Sequence, residues 1–192
     1  MPTLMPILPR ADWRKHIPTR GSSAPLITWV NSRPEASFYD LWEETIDPVW
    51  LPTLAKAGGA TEQQLVFASC AVSRLCLHMI QVGEVRPRIA IEVSEAWTRG
   101  EATWEQLRQA TDAAYDAHHD IYLNGDPDLS AMFAMYAVSV IDFIDDSVVY
   151  HALQAGLESG VLCATLRKYL PFERPPKEKG LTMWQRLAKE EE

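Results

Sequence analysis

Apolar side chains recur every three or four positions from residue 37 onward, which is the spacing of one face of an α-helix. Four segments between residues 38 and 117 follow this spacing, and their apolar positions are Phe38, Leu41, Trp42 and Ile46; Leu65, Ala68, Val72, Leu75, Cys76 and Met79; Ile89, Val93, Ala96 and Trp97; and Leu107, Ala110, Ala114 and Ala117. The pattern therefore predicts an all-α protein in which each of these rows faces the core.

Helix boundaries are marked by residues that satisfy backbone groups at helix ends. A Thr followed three residues later by Gln is a capping-box pattern, and it occurs at Thr61/Gln64 and at Thr103/Gln106. Pro87 suits a first helical turn, and Gly100 suits the left-handed residue that ends a helix. The stretch 86–119 is therefore predicted to form two helices, and its alanines predict a closely packed antiparallel hairpin.

The segment 128–169 is apolar almost throughout, which indicates helices that are buried on more than one side. Charges at Asp142, Asp145 and Asp146 predict two helices with a bend near 145–147. Burial on several sides places these helices either at the centre of the bundle or beneath a second subunit.

Prolines are concentrated near both ends of the chain and separate these segments from the helical part. Residues 1–34 contain six prolines, which remove backbone donors and favour extended geometry, so we expect an irregular basic arm with one short strand at 26–30. Residues 171–192 are predicted to form a proline-rich linker and a short amphipathic helix at 181–189. Between them, residues 35–170 are expected to fold as a single-domain bundle of about six to seven helices.

Charge is distributed unevenly along the chain. Residues 35–170 contain eight basic and twenty acidic residues, whereas residues 1–34 contain five basic residues and one acidic residue. An acidic body attracts basic proteins and repels nucleic acid, so we expect a basic protein partner rather than a nucleic acid. No apolar run approaches the roughly 18 residues of a membrane span. The absence of a signal-peptide pattern and three unclustered cysteines predict a cytoplasmic location.

Paired carboxylates suggest one possible chemistry. Glu92 and Glu95 share a face of one predicted helix, and Asp142 and Asp145 share a face of another. Such pairs are the ligands that Mg²⁺ requires, and they are similar to the acidic quartet of all-α nucleotide pyrophosphatases. The alternative, which we favour, predicts no metal or cofactor: Glu92 and Glu95 face solvent, and Asp142 forms a structural ion pair with Arg86 or Arg88.

Part of the chain resembles a family of small helical immunity proteins encoded in bacterial polymorphic-toxin loci and in some phages. The resembling residues are Cys70 and Ala71, followed by most of the motif RPRIAIEVSEAWTRGEAT at 86–103 and the alanine-rich DAAYDAH at 112–118. The resemblance covers about half the chain, from Ala68 to Gly160. It implies a helical bundle without enzymatic activity that binds and neutralises a toxin, or another host or phage effector.

Three functional hypotheses follow. The first is a binding protein that covers a basic effector or toxin with exposed carboxylates, for which we single out Glu92, Glu95, Asp112 and Asp116. The second is a Mg²⁺-dependent enzyme that uses the two carboxylate pairs. The third is a structural homodimer, such as a phage accessory protein, with 128–169 at its interface and the basic arm on the same or the neighbouring subunit.

Overall fold

The computed structural model describes residues 7–19, 23–123, 134, 136 and 146–174. Two short 3₁₀ turns lie at Trp13–His16 and Leu77–Met79. The described residues form eight α-helices, which are α1 (Ala24–Asn31), α2 (Phe38–Glu44), α3 (Trp50–Gly58), α4 (Glu62–Cys76), α5 (Arg86–Thr98), α6 (Trp104–Leu123), α7 (Ser147–Gln154) and α8 (Ser159–Tyr169). The all-α prediction is confirmed.

The predicted helix boundaries around α4, α5 and α6 are confirmed by their hydrogen bonds. The Thr61 hydroxyl accepts from the Gln64 amide at 3.2 Å, and the Gln64 side chain accepts from the Thr61 amide at 2.8 Å. Thr103 and Gln106 form the same pair of bonds at the start of α6. Gly100 has a φ of 75°, a left-handed conformation that glycine adopts without steric cost.

The short strand predicted at 26–30 is wrong, because these residues lie in helix α1. Pro25 occupies the first turn of this helix, where its missing N–H costs no hydrogen bond. Leu26 and Val30, one turn apart, are both buried. The Arg14 guanidinium donates to four carbonyls, that of Val30 within α1 and those of Arg33, Pro34 and Ala36 just after it. Part of the proline-rich arm is therefore helical and packed into the core.

The inward face of α5 differs from the predicted row of Ile89, Val93, Ala96 and Trp97. Ile89 is 46% exposed and the other three are partly exposed, whereas the buried residues of α5 are Pro87, Ala90, Ile91 and Ser94. Small side chains in this buried row let α5 approach α4 and α6 closely, and the Ser94 hydroxyl donates to the Ala90 carbonyl. For α6, the predicted row of Leu107, Ala110, Ala114 and Ala117 is buried as expected.

Helix α4 lies at the centre of the fold and packs against α5 on one side and against α7 and α8 on another. The two ends of the described chain meet beside α3, where the Ile7 amide donates to the Pro171 carbonyl at 2.8 Å. An aromatic cluster fills this end of the core; it comprises Trp13, Phe38, Trp42 and Phe172. Residues before α1 and after α8 thus complete the core that the central helices begin.

Of the bend predicted near 145–147, the structure describes Asp146 and Ser147, where α7 begins, whereas most of the helix predicted before it and the tail helix predicted at 181–189 lie outside the described residues. Within 146–174, the helical structure is interrupted between α7 and α8 at Gly156, which has a left-handed φ of 97°. Sequence analysis did not predict this break. None of the helices described by the structure combines the length and the apolar character that a bilayer crossing requires.

Candidate functional site

Helices α5 and α6 form the predicted antiparallel hairpin. Trp97 and Trp104 pack edge to face beside the connecting turn, with ring centroids 5.3 Å apart. At the opposite end, Arg86 of α5 donates from Nη1 to Oδ2 of Asp120 of α6 at 2.8 Å. The hairpin therefore presents all four carboxylates that sequence analysis singled out, two from each helix.

The two carboxylates on α5 are each engaged by an arginine. Glu92 lies 3.3 Å from Nε of Arg88, one turn earlier, and both side chains are more than half exposed. Glu95 accepts two hydrogen bonds of 2.8 Å from Arg74 of α4, and its side chain is only 20% exposed. Glu92 thus faces solvent as predicted, while Glu95 belongs to the contact between α4 and α5.

Asp112 and Asp116 of α6 are exposed, and Arg108, which lies one turn before Asp112, is also exposed and forms no ion pair with either of them. Asp112 and Asp116 lie one turn apart, and no cationic group of the described residues comes within ion-pair distance of either one. Glu105 lies seven residues before Asp112 on the same exposed face and accepts a hydrogen bond from Gln109. Sequence analysis missed Glu105, although its seven-residue spacing from Asp112 places it on this face. The outer face of α6 therefore carries Glu105, Asp112 and Asp116 against one cation, Arg108, and has an excess of negative charge.

Arg86 has two carboxylate partners in the structure. Besides Asp120, it contacts Glu84 through Nε at 2.9 Å and Nη2 at 2.6 Å, and these bonds hold the pKa of Glu84 below its usual value. The predicted partner, Asp142, lies outside the described residues, so an ion pair of Arg86 or Arg88 with Asp142 stays a prediction. Glu84 and Asp120 already engage all three guanidinium nitrogens of Arg86.

The Mg²⁺ alternative requires Asp142 and Asp145 beside Glu92 and Glu95, and both aspartates lie outside the described residues. In the part of the chain that the structure describes, no three His, Cys, Asp or Glu side chains are grouped so as to hold a metal ion. Arg74 and Arg88 neutralise the two glutamates on α5. Cation binding by this quartet stays a prediction.

A cluster of tyrosine and histidine rings lies on the other flank of α6. The Tyr136 ring packs against Tyr115 and His118 of α6 and against His151 of α7, with centroid distances of 5.9, 5.2 and 4.2 Å. Burial and the neighbouring His119 lower the pKa of His118 from 6.5. The three-residue spacing of Tyr115 and His118 in the sequence indicates that these two rings share a face of α6. The cluster joins α6 to α7 through Tyr136.

Comparisons of this chain with protein-family models, with curated proteins and with solved structures find no match in any of the three. The resemblance to immunity proteins therefore stays a prediction.

Proposed function

We propose that this protein is a non-enzymatic binding protein that neutralises a basic protein, such as a toxin or a host or phage effector. The single observation that carries the proposal is the exposure of Asp112 and Asp116 on α6, neither of which forms an ion pair with another described residue. Glu92 adds an exposed carboxylate on α5, whereas Glu95 attaches α5 to the central helix α4 through its ion pair with Arg74.

Electrostatics favours this function over one that depends on a small ligand. An excess of exposed carboxylates creates a negative potential that steers a positively charged protein toward the surface and accelerates association. The excess of twelve negative charges over residues 35–170 strengthens this potential. The resemblance to immunity proteins, whose expected role is to cover a toxin, supports the same conclusion.

A charge-reversal capture experiment tests the proposal. The full chain is used to capture proteins from the cells that produce it, beside the variant Asp112→Lys/Asp116→Lys. A matched control, Glu35→Lys/Glu173→Lys, changes the net charge equally at exposed positions away from the hairpin. We expect a basic protein that is retained by the wild type and by the control and lost from the hairpin variant.

The captured protein is then purified and its affinity measured against salt. Because exposed charges are screened within about 3 Å at 1 M salt but about 10 Å at 0.1 M, we expect the affinity to fall steeply with ionic strength. The chain should also inhibit the toxic or enzymatic activity of that protein. An affinity that is independent of salt, or equal binding to both charge-reversed variants, would contradict the proposal.

A further inference from the structure

An apolar row runs along the outer flank of α5. The row consists of four residues at four-residue intervals, Val85, Ile89, Val93 and Trp97. The last three of them belong to the set that the sequence pattern predicted to face the core. In the folded protein Val85 is 56% and Ile89 46% exposed, while Val93 and Trp97 pack partly against the core and keep the rest of their surface exposed. Single exposed apolar residues are ordinary, but a contiguous row bordered by polar residues is typical of an interaction surface.

The apolar row lies beside the carboxylates of α6. The ion pair between Arg86 and Asp120 shows which side of α5 is next to α6 and which side of α6 is next to α5. Ile89 and Val93 lie three and seven residues after Arg86, and Asp116 lies four residues before Asp120, so all three occupy those same sides. The outer seam of the hairpin therefore has an apolar side, formed by α5, and an acidic side, formed by α6.

The dimensions of the seam fit a helix. From Val85 to Trp97 the row spans three turns, about 18 Å at 1.5 Å per residue. A helix of roughly 12–15 residues covers that length, and helices commonly dock in this way by placing an apolar stripe in a groove. The acidic side of the seam requires basic residues along one edge of such a helix.

We infer that the partner binds through a basic amphipathic helix, with its apolar stripe on the α5 row and its lysines or arginines over Asp112 and Asp116. This inference rests on the proposed function and specifies the partner element for the same surface. A second copy of the chain is a poor occupant, because the protein has a net charge of −8 and two acidic bodies repel each other.

A model peptide of leucine and lysine tests the inference. The probe is a capped 15-residue helix with leucines on one stripe and lysines elsewhere, and the control has the same composition permuted to remove the stripe. The ¹⁵N-labelled full chain is titrated with each peptide. We expect the amide shifts to concentrate at 85–97 and 112–120, and the permuted peptide to bind about tenfold more weakly because it loses apolar burial.

Two double variants separate the inference from the proposed function. Val85→Ser/Ile89→Ser removes apolar surface at constant charge, and Asp112→Asn/Asp116→Asn removes charge at constant shape. All four positions are exposed, so both variants should keep the fold. We expect the serine variant to bind the striped peptide about tenfold more weakly with unchanged salt dependence. The asparagine variant should bind more weakly and show a flatter salt dependence.

The possible outcomes are distinct. Wild-type affinity of the serine variant, or equal binding of the two peptides, would overturn helix docking and leave the acidic binding surface standing. Wild-type affinity and salt dependence of the asparagine variant would overturn the proposed function itself. A dimer in solution that the serine substitutions dissociate would assign the apolar row to a second copy and overturn the inference.

Discussion

Arg74 of α4 and Glu95 of α5 form a two-pronged ion pair, with Nε–Oε1 and Nη2–Oε2 both at 2.8 Å. Parallel N–H···O bonds between a guanidinium and a carboxylate combine charge with fixed geometry. The pair lies at the rim of the contact where the Cys70 thiol also points to the Ile91 carbonyl. It therefore attaches α5, which supports one side of the candidate binding surface, to the central helix.

Replacing Glu95 tests this attachment. Glu95→Gln leaves Arg74 without its charge partner, and because Arg74 is 41% exposed we expect a loss of only about 1 kcal/mol in the free energy of unfolding. Glu92→Gln, at a more exposed carboxylate on the same helix, should change it by less than about 0.5 kcal/mol. Urea denaturation of both variants measures the difference. Equal losses would show that the Arg74–Glu95 pair contributes no more to stability than the exposed Arg88–Glu92 pair does.

A second prediction concerns the close approach at Gly58. A Cβ added there lies 2.6 Å from Cζ of Phe38 and 2.9 Å from Cε1 of Phe172, both of which are buried ring atoms. Gly58→Ala should therefore overpack the aromatic cluster and cost about 2 kcal/mol.

Gly160 provides the matched control for this substitution. It also lies in a helix, but no atom lies within 4 Å of an added Cβ. Gly160→Ala should stabilise the protein by about 0.5 kcal/mol, because alanine restricts the unfolded chain. Thermal and urea denaturation of the two variants should give opposite signs, and two changes of the same sign would contradict the packing argument.

A third prediction concerns Arg167 of α8, which holds the end of α2. Its Nη2 donates to the carbonyls of Trp42 at 2.7 Å and Thr45 at 2.6 Å, and its Nε donates to Trp42 at 3.1 Å. These carbonyls lie at a helix end and lack partners within the helix. Arg167→Met should cost about 2 kcal/mol by leaving them unpaired.

The lysine variant distinguishes hydrogen-bond geometry from charge at this position. An ammonium is a single point donor and does not reproduce the planar guanidinium. Arg167→Lys should therefore recover less than half of the stability lost in Arg167→Met, measured from urea midpoints. Full recovery would mean that positive charge alone stabilises the end of α2.

The fold was predictable where its signals are local. The Thr61/Gln64 and Thr103/Gln106 bonds join residues three apart, so their spacing in the sequence determines them. The orientation of α5 was not predictable in the same way. Apart from the buried Ile91, its larger apolar residues lie at the flank because Ala90 and Ser94 allow the close approach to α4 and α6, which is a property of the assembled helices.

The candidate site, like the fold, was predictable only where its residues are close together in the sequence. Spacing along α6 placed Asp112 and Asp116 on one face, and both are exposed. Spacing along α5 also placed Glu92 and Glu95 together, but it gave no sign that Arg74, 21 residues earlier in the chain, binds Glu95. Contacts between distant segments decide which carboxylates keep a free charge, and helical periodicity does not contain that information.

A final prediction concerns pH and depends on His118. Its Nδ1 is buried and has no hydrogen-bond partner among the described residues, within the rings of Tyr115, His119 and Tyr136. Desolvation and the nearby His119 both disfavour the protonated ring and lower the pKa of His118 from 6.5. The folded protein therefore takes up this proton at a lower pH than the unfolded chain does.

This difference makes the folded state less stable in mild acid. The unfolded chain binds the proton as pH falls through about 6.5, so the free energy of unfolding should decrease from there until the pH reaches the lower folded-state pKa of His118. Above about pH 7.5 the ring is neutral in both states and contributes no pH dependence. Urea denaturation of the wild type at pH 7.5 and 5.5 should show this decrease. His118→Gln should reduce it, and the exposed His78→Gln should leave it unchanged. An equal decrease in the wild type and in His118→Gln would show that His118 does not carry the pH dependence.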